Sequence, residues 1–259
     1  MNQNQGTSLP GGTRYKEIGT RSIPAGHLDE RCATGGPRSL AVMVDSTPRP
    51  KTKREAGPAA SAAHRAYRRS RFLPLFDPTD GRGLEIGPLD SAVCDKRTDD
   101  VRYVDVFDQA GLRRSYAGDQ NVVLDDIPDV DFWLIDDERS LSLAEAAAPG
   151  APYDWVFASH VIEHVPDLIG WLDQIAQLTH DDSRLILAVP DRRYCFDRHR
   201  PPTTIGQMLD AHEAGATTPS IRAVYDYLSS AVTVDAPRLW TGARPPGREA
   251  LIHGSRRAS

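Results

Sequence analysis

With 259 residues, 39% of them hydrophobic, and a mean hydropathy of -0.46, the chain has the length of one generous α/β domain but is too polar to be expected globular throughout. A formal net charge of -5 argues against a general nucleic-acid binder. No run approaches the about 18 apolar residues of a membrane span, and no apolar segment follows the start as in a secretory signal. Cys32, Cys94 and Cys195 are scattered, with neither the pairing of a disulfide framework nor the spacing of a zinc site, so a cytoplasmic protein without a metal is expected.

In chain order, residues 1–58 are rich in Gly, Pro, Ser, Thr and Arg, lack any apolar period, and contain breakers such as "LPGG", "TGGP" and "TPRP". They are expected to form a disordered leader. The basic stretch "PKTKREAGPAASAAHRAYRRSRF" (50–72) reads as a helix leading into the first strand, and its charge suits either a solvated face or a phosphate-attracting patch. From residue 83 short apolar runs predict strands at "GLEIG", "VRYVDVF", "DVDFWLI", "YDWVFAS" and "SRLILAVP". Before the last of these, "VPDLIGWLDQIAQLTH" predicts a helix with Ile169, Leu172, Ile175, Ala176 and Leu178 near one face and Asp167 at its start. Two further helices are expected in "TTIGQMLDAHEAG" and "SIRAVYDYLSSAV", and residues 236–259 read as a disordered tail. Alternating strands and helices over 59–235 predict an α/β domain, a parallel sheet with helices on both faces.

Ligands of such sheets bind beyond the carboxyl ends of the strands, which directs attention to the turn from Glu85 to Leu89. Gly87 lets a backbone approach a ligand closely. Asp105 ends the second strand 18 residues later, near the spacing of about 20 for a carboxylate that grips a ribose diol. The glycines run G-R-G-L-E-I-G, which is not the dinucleotide fingerprint, and no Walker sequence is present. Glu85, inside the first strand of that unit, would repel a phosphate and attract a cofactor carrying ammonium and sulfonium charges.

The blocks "LEIGPLDS", "VRYVDVFD", "YDWVFASHVIEHVPDLIGWLDQIAQL" and "RLILAVPDRRYCFDRHRPPT" resemble the successive motifs of a class I S-adenosylmethionine-dependent methyltransferase of the type 11 group. The likeness covers about residues 65 to 245 and is to bacterial members associated with glycan synthesis. It implies a Rossmann-like sheet and S-adenosyl-L-methionine as cofactor. By that resemblance Glu85 holds the methionine ammonium, the backbone at Gly87 and Pro88 lies against the cofactor, and Asp105 takes the ribose hydroxyls. Val106 and either Asp136 or Asp137 lie near the adenine, and Ser159 and His160 line the donor cleft. His160 and His164 are candidate bases for an acceptor hydroxyl.

Each residue also has a plain structural alternative: Glu85 as a salt-bridged edge residue, Asp105 as a helix cap, Ser159 as a cap for the helix carrying Glu163 and His164. Arg192, Arg193, Arg198 and Arg200, beside Tyr194 and Phe196, are candidates for an anionic or sugar acceptor. Two departures from the pattern stand out. "DDS" (181–183) replaces the usual glycines before the fifth strand, and the final antiparallel strands are expected to be missing, which would leave that strand's edge open to a protein partner. The expected activity is methyl transfer to a small-molecule or glycan acceptor. Its rivals are a catalytically degenerate binding module and a nicotinamide-dependent oxidoreductase.

Overall fold

The structure is a computed structural model that describes residues 39–45, 53–136, 139–235, 238–239 and 251–252. Most of the expected leader, residues 1–38, lies outside the described residues, as do Asp137 and most of the expected tail. The chain runs β1 (Ser39–Asp45), α1 (Lys53–Phe72), β2 (Gly83–Ile86), β3 (Val101–Asp105), α2 (Gln109–Ser115) and β4 (Phe132–Trp133). It continues through β5 (Ile135–Asp136), β6 (Arg139–Ser140), α3 (Leu143–Ala147), β7 (Tyr153–Ser159), α4 (Leu168–Leu178) and β8 (Thr179–Pro190), and then α5 (Ile205–Glu213) and α6 (Ile221–Ser230).

The main sheet has the order β1-β8-β7-β2-β3-β4, and every pairing in it is parallel. Side chains alternate across it with period two. Leu84, Ile86, Val156, Ala158, Leu185 and Leu187 join the core beneath α3 and α4, where Trp171, Ile175 and Leu178 complete it. Trp155, Phe157, Ile186, Ala188, Val101 and Tyr103 face the other way, onto Phe72 at the end of α1 and Phe76. Both faces are therefore covered, as parallel sheets require. Asp167 caps α4 by accepting from the Gly170 N–H at 2.9 Å.

Four expectations are corrected. Ser39–Asp45, inside the stretch expected to be a structureless leader, forms β1 and pairs along β8 from Ser39↔Arg184 to Asp45↔Pro190. The edge of β8 expected to be open for a protein partner is thus occupied by the chain's own segment: "SLAVMVD" is a seven-residue apolar run embedded in turn-forming sequence, and it satisfies the β8 backbone groups. Its side is the place where an antiparallel strand was expected to be missing; among the described residues a parallel strand fills it. Leu251, in the expected tail, bridges to Val232, and the Ile252 N–H reaches the Ala231 carbonyl at 2.9 Å. "DDS" makes no tight turn but a shift in register, from Tyr153↔Thr179 to Trp155↔Arg184. Ser183 is fully buried there, donating to the Tyr153 carbonyl at 2.8 Å and accepting from the His180 N–H at 2.9 Å.

The chain leaves β2 toward β3 on one side, while β7 flanks β2 on the other, so the order reverses between β2 and β7. In open parallel sheets a crevice forms at that point beyond the carboxyl ends of the strands.

Candidate functional site

The crevice is bounded by the turn after β2 on one side and the end of β7 on the other. The Gly87 N–H still bonds the Val104 carbonyl at 2.8 Å, extending the β2–β3 ladder by one residue. The chain then turns through Gly87 (φ 65) and Leu89 (φ 44), two left-handed residues that bracket Pro88. A side chain at Gly87 would be strained by that φ and would meet Val161 Cγ2 at 3.0 Å, so the position keeps the approach open.

Asp105 reaches this turn from β3. Its Oδ2 accepts from the Leu89 N–H at 3.3 Å and its Oδ1 from the Val106 N–H at 2.7 Å. Burial raises its pKa, and the two amides oppose that shift. A desolvated carboxylate held only by main-chain donors at a strand end is a ready acceptor for a pair of hydroxyls. Its alternative as a helix cap does not apply: Asp108 caps α2, accepting from Gly111 at 2.6 Å.

Glu85 is 2% exposed. Its Oε1 accepts from the Val93 N–H at 2.8 Å and its Oε2 from the Cys94 N–H at 2.9 Å. Burial pushes its pKa up to about 7, against the two amides and the nearby positive charge of Arg68. It is no edge residue, since β2 lies between β7 and β3. Its first role is to hold the 88–94 segment, and a cation beside it is felt through its charge. Asp90, also buried, secures the same segment by accepting from the Val123 N–H at 2.9 Å.

At the end of β7 the chain passes through Ser159 into His160, a non-glycine residue at φ 57. Such a conformation is uncommon outside glycine, and it re-aims the chain after the strand. His160 Nδ1 faces Glu163 Oε1 at 3.4 Å. Ser159 does not cap the following turn; its Oγ accepts from Arg68 of α1 at 2.7 Å. Among the described residues, no group of three or more His, Cys, Asp or Glu side chains is placed to hold a metal ion.

A sequence profile described as a methyltransferase domain matches residues 60–227. The chain belongs to that family. Among solved structures, a ribosomal protein L11 methylase from Lactobacillus delbrueckii subsp. bulgaricus is similar at 16% identity and a TM-score of 0.28, over 70% of this chain and 84% of that one, a likeness that carries no argument here. No curated protein matches.

The remaining expected residues, Val106, Asp136 and His164, are exposed. Val106 and Ile135 are exposed and joined by a 2.8 Å bond from the Ile135 N–H to the Val106 carbonyl. Asp136 is exposed on β5, and the alternative, Asp137, lies outside the described residues. His164 is exposed in the short turn Ile162–His164. Cys94 is buried, which pushes its thiol up and keeps it unreactive.

Sequence reasoning missed Arg68, and it treated the basic helix as either a solvated face or a phosphate patch. Instead three arginines of α1 turn inward: Arg65 meets Asp126 at 2.7 Å, Arg68 reaches Ser159, and Arg69 grips both oxygens of Asp99 at 2.7 and 2.9 Å. The available signal was their i, i+3, i+4 spacing, which places three cations on one helix face. The acceptor-loop arginines are also engaged internally. Arg193 forks onto Asp191, Arg200 lies 4.0 Å from Asp197, and Arg192 donates to the Arg198 carbonyl.

Proposed function

We propose that this methyltransferase domain uses S-adenosyl-L-methionine to methylate a hydroxyl of a small molecule or glycan, and does so in the cytoplasm. The observation that carries the reading is Asp105: a half-buried carboxylate beside a left-handed turn, near the sheet's reversal point, that accepts from two main-chain amides. That arrangement suits a ribose diol and a backbone approach at Gly87 and Pro88. The exposed apolar side chains of Val106 and Ile135 beyond it suit an adenine, with Asp136 near its amino group. Bound there, the cofactor supplies an electrophilic methyl on a sulfonium leaving group.

The chain's own residues then align and deprotonate the acceptor. His160 is favoured over His164 as the base, because Glu163 orients its ring through Nδ1 and Nε2 is then the atom that takes the acceptor's proton. Ser159 lines the donor side. With Arg193 and Arg200 paired to carboxylates, the loop after β8 offers aromatic surface, notably the exposed Phe196, more than positive charge. This favours a sugar-like acceptor over a strongly anionic one, in keeping with the type 11 resemblance. The degenerate-module alternative drew its main support from the missing final antiparallel strands; among the described residues the parallel strand β1 covers the edge beside β8 in their place. The oxidoreductase alternative lacks a glycine-rich pyrophosphate turn.

Titration calorimetry of the full chain with S-adenosylhomocysteine tests the reading. Micromolar binding that D105A weakens by about 10-fold or more, the worth of a hydrogen bond to a charged group, is the expected outcome. Absence of binding by the folded wild type overturns it.

A further inference from the structure

Helix α6 presents its apolar side away from the domain. Ile221, Val224, Tyr225 and Leu228 follow the i, i+3, i+4, i+7 spacing that lays one stripe along a helix, and all four are exposed, Ile221 by 90% and Tyr225 by 68%. Ala223, Asp226, Tyr227 and Ser230 repeat that spacing two positions on, are half-buried, and so form the opposite face. That second face meets the domain. The Tyr227 ring packs edge-on against Phe196 with centroids 5.8 Å apart, and just past the helix the Val232 N–H bonds the Phe196 carbonyl at 2.7 Å. Single exposed apolar side chains are ordinary on a surface, but a continuous stripe marks a face that another surface covers.

Charge selects what covers it. The chain has a formal net charge of -5, so two copies repel unless the surfaces that meet are locally balanced. The stripe carries no charged residue, and the pair beside it, Arg222 and Asp226, is balanced within the helix at 3.7 Å. Such a face lacks the positive charge that holds a nucleic acid or an anionic lipid surface. It is also complementary to itself. Turned antiparallel about a two-fold axis between Val224 and Tyr225, the stripe sets Ile221 opposite the partner's Leu228 and Val224 opposite the partner's Tyr225. The same rotation brings Arg222 level with the partner's Asp226, so that opposite charges meet.

We infer that the outer face of α6 is the contact of a two-fold symmetric homodimer, formed with the same face of a second copy of this chain. Pairing withdraws the four apolar side chains from water. It also backs α6 from behind and, through Tyr227, steadies Phe196 in the loop after β8. One short helix pair is a small interface, so the association is reversible, with a Kd of about 10 to 100 µM.

Sedimentation velocity of the full chain from about 1 to 500 µM tests this on wild type, V224K, V224E and an equimolar mixture of the two variants. Wild type is expected to rise with concentration from the mass of one chain, 28.5 kDa, toward twice that mass. Each variant sets like charges against each other at the axis and should weaken association about 10-fold or more, whereas the mixture sets opposite charges there and should recover it. Because Val224 is exposed, both variants should melt with wild type at about 1 µM, where single copies predominate. Wild type that stays at the mass of one chain overturns the inference, and its pelleting with phosphatidylcholine vesicles would then assign the stripe to a lipid surface. Association that V224K and V224E leave unchanged overturns it as well, and so does a mixture no stronger than either variant alone. A lower melting temperature for both variants under dilute conditions also overturns it, because the stripe would then be covered within the chain itself.

Discussion

The turn joining β2 to β3 and the helix pair α5–α6 sit at opposite ends of the domain's sequence and are built on opposite terms. Around the turn, Glu85, Asp90 and Asp99 are buried charges, each answered by main-chain amides or an arginine. In α5 and α6 no residue is buried, and Ile205, Leu209, Val224, Tyr225 and Leu228 face solvent beside Ile221, which is 90% exposed. His212 of α5 lies 3.1 Å from Asp167, the residue that caps α4. A densely bonded platform at the turn thus contrasts with a lightly anchored second half, and loosely held segments are where the functions of a fold vary.

The largest expected effect lies at the end of β7. H160Q should lower kcat for a hydroxyl acceptor by about 10²- to 10⁴-fold, the usual contribution of a general base, with S-adenosylhomocysteine affinity unchanged. A variant that retains full turnover would move the proton transfer elsewhere.

Within the platform, a methyl group added at Gly83 would lie 2.0 Å from the buried Trp155 ring. G83A should therefore destabilise the fold by about 3 kcal/mol, seen as a lower midpoint in urea at unchanged slope. A neutral result would mean that the platform yields where close packing says it does not.

Glu85 gives the platform a pH signature. Its folded-state pKa of about 7 exceeds its ordinary value of 4.5, so between those values the folded protein holds a proton that the unfolded chain has released. Its contribution is fully present below about pH 4.5 and is lost as pH rises through about 7, a change of a few kcal/mol at about 1.4 kcal/mol per pKa unit. E85Q removes this component. The difference in Tm between wild type and E85Q, followed from pH 4.5 to 8, should shift in favour of the variant as pH rises. A constant difference would show that the carboxyl keeps its ordinary value.

The smallest effect belongs to the second half. I221K should change stability by no more than about 0.5 kcal/mol in a thermal melt, as at other exposed sites. A loss above about 1 kcal/mol would show that this face is covered and erase the contrast.

The helix Leu168–Leu178, within the stretch expected at 165–180, and the strands "YDWVFAS" and "SRLILAVP" were legible because such runs largely specify their own conformation. "DVDFWLI" was harder: only Phe132 and Trp133 join the main sheet, and the chain beyond breaks into the short β5–β6 pair. β1 was missed because a seven-residue run amid glycines and prolines has no local reason to be a strand; its reason is the unpaired edge of β8, far along the chain.

The places of Glu85 in β2, Gly87 just after it and Asp105 at the end of β3 were legible from the strand pattern, and the parallel α/β class followed from the order of elements. The sequence alone thus determined which residues stand at the carboxyl ends of the strands. Tertiary structure decided what their side chains do there. Glu85 grips the Val93 and Cys94 amides, Ser159 receives Arg68 instead of capping a helix, and three arginines of a basic helix point inward. The physical reason is that periodicity is a local property carried by neighbouring residues. The partner of a charged group is set by whatever distant segment folding brings within about 3 Å, where a hydrogen bond can form.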